Sequence, residues 1–274
     1  MIQYSEKETI LYVDKLSVGY GDKTILKDIS LIEKDVVREG IASTGQVIAF
    51  IGRSGRGKST LFKALTGLIK PTSGQILLKD LRIGHKTDAK IVSEGDIGFV
   101  DQKYTLFRHK TIYQMCQYAI RKQKLSPAEK KDMIEKTLSD WGLYEHKDKY
   151  SCELSGGQRQ RTAIIEQTLS NKNFMIFDEP CASIDVFNVE KFKESVRLIG
   201  TYNEYNTVLF STHDINLAVE LSDSIYIIGF PEGVSDYSTV VKHYDLKAMG
   251  LAWEEYGDNH RQLVKDIKET LIKS

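Results

Sequence analysis

The sequence predicts an α/β fold with a mostly parallel sheet, an N-terminal antiparallel β subdomain and an inserted helical lobe. Three observations support this class. Residues 10–35 form short alternating apolar and polar runs around a Gly21-Asp22 turn, typical of antiparallel strands. After residue 46, apolar β-branched runs alternate with helical stretches, as in a parallel sheet. Residues 111–150 are helical in pattern throughout, which places a mostly helical lobe inside the sheet domain.

The sheet is predicted to be built around Gly52-Arg53-Ser54-Gly55-Arg56-Gly57-Lys58-Ser59-Thr60, which fits the pattern G-x-x-x-x-G-K-[ST]. An apolar run at residues 47–51 precedes this segment. Strand, glycine loop and helix follow one another, which is the order of a P-loop NTPase core. Glycines let several N–H groups point at one phosphate, and the helix N-terminus adds its positive dipole end. The apolar positions predicted for the helix are Leu61, Leu65 and Leu68.

The side chains of this loop have different expected roles. We expect Lys58 to neutralise the β- and γ-phosphates of a nucleotide, and Ser59 to ligate Mg²⁺. Arg53 and Arg56 occupy variable positions of the pattern. They either point outward or add positive field at the phosphates, and the sequence leaves both alternatives open.

Composition bounds the function classes. The 274 residues are 41% hydrophobic and 28% charged, as in a globular protein with a full core, and we predict one domain over residues 1–274. The 38 basic and 38 acidic residues leave no electrostatic footprint for nucleic acid. Cys116, Cys152 and Cys181 form neither a disulfide framework nor a metal pair, which favours a reducing, cytosolic compartment. No apolar stretch reaches the roughly 20 residues that span a bilayer, so we expect any membrane role to need a partner.

Two features of the N-terminal part have open interpretations. Tyr20 lies between two glycines, and its ring either stacks on a nucleotide base or fills a strand edge. The charged and then small-residue segment from Glu33 to Gly45 is predicted to be an extended hairpin or loop, without an assigned function.

Polar residues follow several predicted strands, where ligands of open α/β sheets collect. Asp178 and Glu179 end a fully apolar strand, and we expect them to serve Mg²⁺ and an attacking water, respectively. Gln102 either reaches a metal or water or is an ordinary loop glutamine. His213 either contacts a γ-phosphate or is structural. Asp185 belongs to the same loop region or caps the next helix.

A second glycine-rich turn, Leu154-Ser155-Gly156-Gly157-Gln158, opens a helical run. Its serine hydroxyl and its N–H groups at a positive helix end also suit a phosphate. The chain therefore has two elements expected to contact phosphate. The remaining helical positions are interpreted as core, in the lobe (Ile112, Met115, Cys116, Ala119, Met133, Ile134, Leu138 and Trp141) and in an amphipathic tail helix packed on its own domain (Leu263, Ile267 and Leu271).

In this order, the motifs resemble the ATP-binding-cassette (ABC) ATPase family over roughly residues 11–229. The LSGGQ turn is the family's own element and is not shared by other P-loop NTPases. The resemblance implies ABC names for these segments: Walker A at residues 52–60, Q-loop at Gln102, LSGGQ at residues 154–158, Walker B at residues 174–179, D-loop at Asp185 and H-loop at His213.

The resemblance also implies a mechanism with ATP and Mg²⁺. Two nucleotide-binding domains would pair head to tail, so that each ATP lies between Walker A of one chain and the LSGGQ turn of the other. Tyr20 would stack on the base and the loop amides would bind phosphates. Ser59, Gln102 and Asp178 would arrange Mg²⁺, while Glu179, Gln102 and His213 act on the water and γ-phosphate. Ser155, Gly156, Gly157, Gln158 and Asp185 would act in trans.

The same resemblance implies a transport partner. In the family, the lobe, here about residues 103–160, receives the cytoplasmic helices of a separate membrane permease. The approach Lys149-Tyr150-Ser151-Cys152-Glu153 is similar to that of prokaryotic importer ATPases, and an exporter-like T-x-V-G-E stretch is absent. We therefore expect an importer subunit, peripheral on the inner face of the cell membrane, with a C-terminal extension at about residues 231–274. Departures such as Ile165-Glu166-Gln167 in place of A-R-A leave the substrate unassigned.

Two rival functions remain possible from sequence. One is a soluble ABC ATPase in DNA repair or on ribosomes, but the chain has neither a long heptad coiled coil nor a second cassette. The other is a nucleotide-gated regulatory module with little turnover. Glu179 argues against that module, because a protein that does not hydrolyse ATP does not need a general base.

Overall fold

The computed structural model describes residues 3–38, 45–81, 88–181 and 186–274. An antiparallel sheet of four strands is ordered β2-β1-β4-β5. The first two strands form a long hairpin through Gly21, whose φ of 57° suits glycine. The predicted antiparallel β subdomain is thus confirmed. Its strands are β1 (Tyr4–Tyr20), β2 (Lys23–Arg38), β4 (Ser73–Leu78) and β5 (Lys90–Ile91).

The segment from Glu33 to Gly45 differs in part from its prediction. Residues Glu33 to Arg38 are the end of β2, with Arg38 paired to Tyr4, rather than a separate hairpin or loop. Residues 39–44 lie outside the described residues. The alternating burial along β2 explains the difference, because every second residue from Leu31 to Asp35 faces the interior.

The second sheet has six strands in the order β10-β9-β3-β8-β7-β6. All neighbours in it run parallel except β10, which is antiparallel to β9. This confirms the mostly parallel sheet. Its strands are β3 (Gln46–Ile51), β6 (Gly98–Val100), β7 (Phe174–Phe177), β8 (Thr207–Thr212), β9 (Ser224–Gly229) and β10 (Thr239–Asp245).

Two hydrophobic cores lie on the two faces of this sheet. Side chains of β3 alternate between them: Val47, Ala49 and Ile51 enter one core, and Ile48 and Phe50 the other. A strand buried on both faces needs such a continuous apolar run. The position of the loop that follows β3 is therefore fixed by packing on both sides.

The described residues include seven α-helices. Thr111, Ser126 and Ser155 each form a capping box at a helix start. No helix among them combines the length and apolar composition that a bilayer crossing requires. The helices are α1 (Lys58–Leu65), α2 (Ile112–Ile120), α3 (Pro127–Asp140), α4 (Gly156–Leu169), α5 (Val186–Tyr202), α6 (Ile215–Leu221) and α7 (Asp258–Lys273).

The helical predictions hold in outline and fail at two positions. Residues 103–160 contain α2, α3 and the start of α4, without a strand; the domain division itself stays a prediction. Leu68 is not part of α1 and is exposed, because Gly67, with φ of 74°, follows the helix end. Met133, predicted as lobe core, is also exposed.

Helix α7 packs on the domain's own surface, as predicted for the tail. Leu263 and Ile267 are buried, and Leu271 is partly buried against the same core. Asp266 accepts hydrogen bonds from Lys242 and Tyr244 on β10, each at 2.8 Å. Apolar and polar contacts together fix α7 against the edge of the six-stranded sheet.

A buried ion pair connects the two sheets. Arg38 at the end of β2 donates to both carboxylate oxygens of Asp223, at 2.7 and 2.8 Å, and both side chains are almost completely buried. Asp223 also accepts from the backbone N–H of Val47 at 2.8 Å and from Trp253 at 3.1 Å. Nearby, burial raises the pKa of Glu33 to about 7. The segment without an assigned function thus contributes to holding the sheets together.

We predict that Asp223→Ala lowers the free energy of unfolding by about 3–5 kcal/mol, because it leaves a buried guanidinium without this carboxylate. Urea unfolding measures the loss. The control is Lys34→Ala, which removes the exposed pair between Lys34 and Glu6, at 2.8 Å, and should cost far less. Equal losses for the two variants would contradict the assigned role of the buried pair.

Candidate functional site

A cavity of about 580 Å³ lies where the parallel strands end. Its wall combines the phosphate loop with polar residues from distant parts of the chain, which the parallel order of β3, β8 and β7 brings to one sheet edge. The volume suits a small-molecule ligand. The lining residues are Tyr20, Ile25, Ser54, Gly55, Arg56, Gly57, Lys58, Ser59, Thr60, Gln102, Glu179 and His213.

The phosphate loop connects β3 to α1. Gly55 and Gly57 have φ values of 80° and 87°, which favour glycine. A Cβ atom on Gly57 would also lie 2.8 Å from the Cδ2 atom of Leu26, so both backbone and space require glycine there. Lys58 opens α1 and donates from Nζ to the carbonyl oxygen of Gly52 at 2.7 Å. Gly52 itself does not line the cavity.

Glu179 is in contact with two of the predicted site residues. Its Oε1 atom lies 3.1 Å from Lys58 Nζ, and its Oε2 atom lies 3.1 Å from His213 Nδ1. Its backbone has φ of 48°, an uncommon conformation for a non-glycine residue. The Glu179 N–H donates to Ser211 Oγ at 2.8 Å, and Ser211 donates to Asp178 Oδ1 at 2.7 Å. Asp178 is thereby held behind the cavity wall and does not line it.

The oxygen donors of this cavity fit a hard cation together with phosphate. Ser59 and Gln102 line the wall, and Asp178 lies behind Ser211. Among the described residues, no group of three or more His, Cys, Asp or Glu could hold a metal ion. Mg²⁺ prefers few protein ligands supplemented by water and phosphate oxygens. The donor set therefore suits Mg²⁺ bound with a nucleotide rather than a metal held by the chain alone.

Tyr20 and the turn at residues 154–158 occupy different surfaces. Tyr20, half exposed at the end of β1, lines the cavity. Ser155 caps α4: its Oγ accepts the Gln158 N–H at 3.3 Å, and Gln158 Oε1 accepts the Ser155 N–H at 3.0 Å. None of the turn's residues lines the cavity. Asp185 and its loop, residues 182–185, lie outside the described residues.

Sequence reasoning missed residues that position Glu179. Ser211 had a weak signal, as the first hydroxyl after the apolar run of β8. Tyr104 and Gln160 had none. Both donate to the carbonyl oxygen of Pro180, Gln160 at 3.1 Å. Burial raises the pKa of Tyr104, so its hydroxyl stays a donor. These bonds connect the region after Gln102 and helix α4 to the segment that carries Glu179.

Fold and cavity together define a P-loop nucleotide-binding protein with an added β subdomain and a helical region. The family model described as ABC transporter matches residues 40–182. The chain is 36% identical over 221 residues to the arginine transport ATP-binding protein ArtM of Bacillus subtilis, which covers 79% of this chain and 86% of that protein. The chain therefore belongs to the ABC transporter family, among its ATP-binding ATPase subunits.

A further relative and a solved structure are also similar to this chain. The sulfate/thiosulfate import ATP-binding protein CysA of a Synechocystis species is 33% identical over 236 residues, covering 85% of this chain; the chain spans only 62% of that protein's length. Among solved structures, cbiO1 of Clostridium perfringens superposes with a TM-score of 0.71 at 24% identity and covers 97% of both chains. At that identity the structural likeness supports the fold, and the family rests on the sequence matches.

We predict that Ser211→Ala lowers the ATP hydrolysis rate by about 10- to 100-fold, because Asp178 and Glu179 lose the hydroxyl that positions both. The free energy of unfolding should fall by about 1–3 kcal/mol, since a buried carboxylate oxygen and an N–H lose their partner. Ser195→Ala is the control, because Ser195 donates to a helix carbonyl at 2.8 Å away from the cavity. A Ser211→Ala variant that loses stability but hydrolyses ATP normally would contradict the positioning role.

Proposed function

We propose that the chain is the ATP-hydrolysing subunit of an ABC importer, which dimerises around two ATP molecules and drives a separate membrane permease. The supporting observation is the cavity in which Lys58, Glu179 and His213 meet beside the glycine loop, with Tyr20 at its rim. The names of the relatives favour transport over a soluble repair or ribosomal function.

ATP binding would start with Tyr20 and the phosphate loop. The half-exposed ring of Tyr20 stacks on the base, because an aromatic face tolerates a purine. The loop amides and the N-terminal end of α1 bind the phosphates. Lys58 would then exchange the Glu179 carboxylate for phosphate oxygens. Ser59 and Gln102, which line the cavity, would hold Mg²⁺, and Asp178, which does not line it, would help to arrange the ion. The bound ion supplies charge neutralisation on the phosphates.

Hydrolysis would use the carboxylate that Lys58 leaves behind. Glu179 accepts a proton from a water, whose oxygen forms a bond to the γ-phosphorus while the bond to the β-phosphate oxygen breaks. His213, whose Nδ1 atom lies 3.1 Å from Glu179 Oε2, would donate to the γ-phosphate. Gln102 lines the same wall and orients the water. ADP and phosphate leave, and the proton is released to solvent.

The position of the second glycine-rich turn supports the proposed dimer. Ser155, Gly156, Gly157 and Gln158 do not line the cavity of their own chain. In a head-to-tail pair they contact the phosphates of the partner's ATP, together with Asp185. An ATP-binding cassette of similar fold, with a TM-score of 0.65, has been solved as a dimer with ADP and Pi.

The permease would dock on the helical region beyond Gln102. Phe107 and Tyr118 are exposed there, with ring centroids 5.2 Å apart, and Tyr150 is a further exposed aromatic residue in the same region. Exposed aromatic residues are enriched at protein interfaces. Such docking would place the chain on the inner face of the cell membrane.

We predict that Glu179→Gln lowers ATP hydrolysis by about 10²- to 10⁴-fold, because it removes the general base while ATP still binds. Gel filtration with ATP should then show an accumulated dimer. Hydrolysis by Glu179→Gln at the parental rate would contradict the assignment of Glu179 as the base.

We also predict that Lys58→Ala abolishes ATP binding at millimolar nucleotide, measured by equilibrium dialysis. Normal ATP binding by this variant would contradict the phosphate-loop assignment.

A further prediction concerns the permease. Purification from membranes should recover an integral subunit with the parent chain, whereas the Phe107→Ser, Tyr118→Ser double variant should recover much less because the docking contacts are lost. Ile91→Ser, a change at an exposed apolar residue of β5, is the matched control. Recovery of no integral subunit with the parent would favour the soluble function instead.

A further inference from the structure

Arg56 has a contact that neither sequence alternative described. Its guanidinium carbon lies 3.6 Å from the ring centroid of Phe230, and its Nη2 atom donates to the carbonyl oxygen of Ser274 at 3.3 Å. Its Nε atom is buried. Phe230 directly follows β9, and Ser274 directly follows α7. The side chain of a phosphate-loop residue therefore packs between the end of the central sheet and the end of the last helix.

The last two residues of β9, Ile228 and Gly229, and the following Phe230 each contact a different neighbour. A Cβ atom on Gly52 would lie 2.4 Å from the carbonyl oxygen of Ile228, so the start of the loop packs directly on this strand. A Cβ atom on Gly229 would lie 2.6 Å from the Ser274 Cβ atom. The ring of Phe230 stacks against the guanidinium of Arg56. The phosphate loop, the end of β9 and the end of α7 form one closely packed contact.

The backbone on both sides of Arg56 depends on such contacts. Gly55 and Gly57 have positive φ and the wide conformational freedom of glycine. On one side, Gly57 packs against Leu26 of β2. On the other side, the stacked Arg56 side chain fixes the residue between the two glycines. A cation over an aromatic face contributes directional attraction in addition to packing.

Contacts between α7 and β10 fix the end of α7 next to Arg56. Tyr244 Oη lies 2.8 Å from Asp266 Oδ2 and 3.2 Å from Thr270 Oγ1, one helical turn before the end of α7. Leu263 and Ile267 pack into the core below. The residue that follows, Ser274, therefore reaches Arg56 only when α7 is docked on β10.

We propose that Arg56 is a positioning residue that, through its stack on Phe230 and its hydrogen bond to Ser274, couples the docking of α7 to nucleotide affinity. This inference rests on the proposed function of the cavity as the ATP site. By linkage, whatever docks α7 strengthens nucleotide binding, and nucleotide binding strengthens the docking of α7 by the same factor. A partner that contacts α7 would then regulate the ATPase without contacting the nucleotide.

The first test measures the Kd of ATP, with Mg²⁺, for the full chain. Arg56→Ala and Phe230→Leu should each raise the Kd about three- to tenfold, the range of a partly buried cation–aromatic contact. The double variant should bind ATP no more weakly than whichever single variant binds it more weakly, because both substitutions remove the same contact. Arg121→Ala, which removes a similar stack on Tyr118 at 3.5 Å, is the control and should leave the Kd unchanged.

The alternative is that Arg56 acts only through its charge. In that case Phe230→Leu would leave the Kd of ATP unchanged, and Arg56→Lys would bind ATP with the parental Kd. Arg53→Ala would also weaken ATP binding as much as Arg56→Ala does. Any of these three results would overturn the inference. We expect the Kd of Arg56→Lys to lie between that of the parent and that of Arg56→Ala, because lysine lacks the planar guanidinium that stacks on the Phe230 ring.

Hydrogen exchange gives a second readout that charge alone does not move. Without nucleotide, Arg56→Ala should speed amide exchange over the last turn of α7, and ATP should slow that exchange in the parent but not in the variant. Exchange that is equal in parent and variant would overturn the coupling. A parent that binds no ATP would overturn the proposed function and this inference together, whereas normal parental binding with an unchanged Kd for Arg56→Ala overturns this inference alone.

Discussion

The ion pair between Lys58 and Glu179 is the interaction on which the candidate site depends. Lys58 Nζ lies 3.1 Å from the carboxylate, and the lysine side chain is almost fully buried. A buried ammonium group requires a counter-ion, which is Glu179 in this structure. In the proposed site, phosphate oxygens would supply the same negative charge more strongly, so that nucleotide binding would release Glu179. The proposed base would then be available only when its substrate is present.

This exchange of partners is possible because the sheet aligns three strand ends. Ile51 pairs with Thr212 in β8, and Phe177 of β7 pairs with Phe210. The loops that follow these strands therefore emerge side by side and carry Lys58, Glu179 and His213. Ser211, near the end of β8, accepts the backbone N–H of Glu179, whose backbone conformation is uncommon. This role explains the buried hydroxyl that follows the apolar residues 208–210 of β8.

Residues in local motifs could be predicted from the sequence, because spacing alone places them at strand ends and helix starts. The phosphate loop, the positions of Glu179 and His213 after strands, and the helix opened by the turn at residues 154–158 are of this kind. Contacts between distant segments could not. Nothing near Arg38 indicates Asp223, and nothing near Arg56 indicates Phe230, since both pairs form only after β9 is packed beside β3. The same limit explains Met133, whose apolar character matched a helix face that the tertiary structure leaves exposed, whereas Leu68 lies beyond the end of α1 at Gly67.

The turn at residues 154–158 shows why one chain supplies half of the proposed site. Its capping box uses the Ser155 hydroxyl oxygen as an acceptor for the Gln158 N–H. Accepting that bond leaves the hydroxyl proton to donate, because a serine hydroxyl has one donor and two acceptor positions. The cap therefore fixes the direction in which Ser155 can donate, without using that capacity. This donor lies outside the cavity of its own chain, which agrees with the proposed head-to-tail pair, in which a second cassette would bring a phosphate to it.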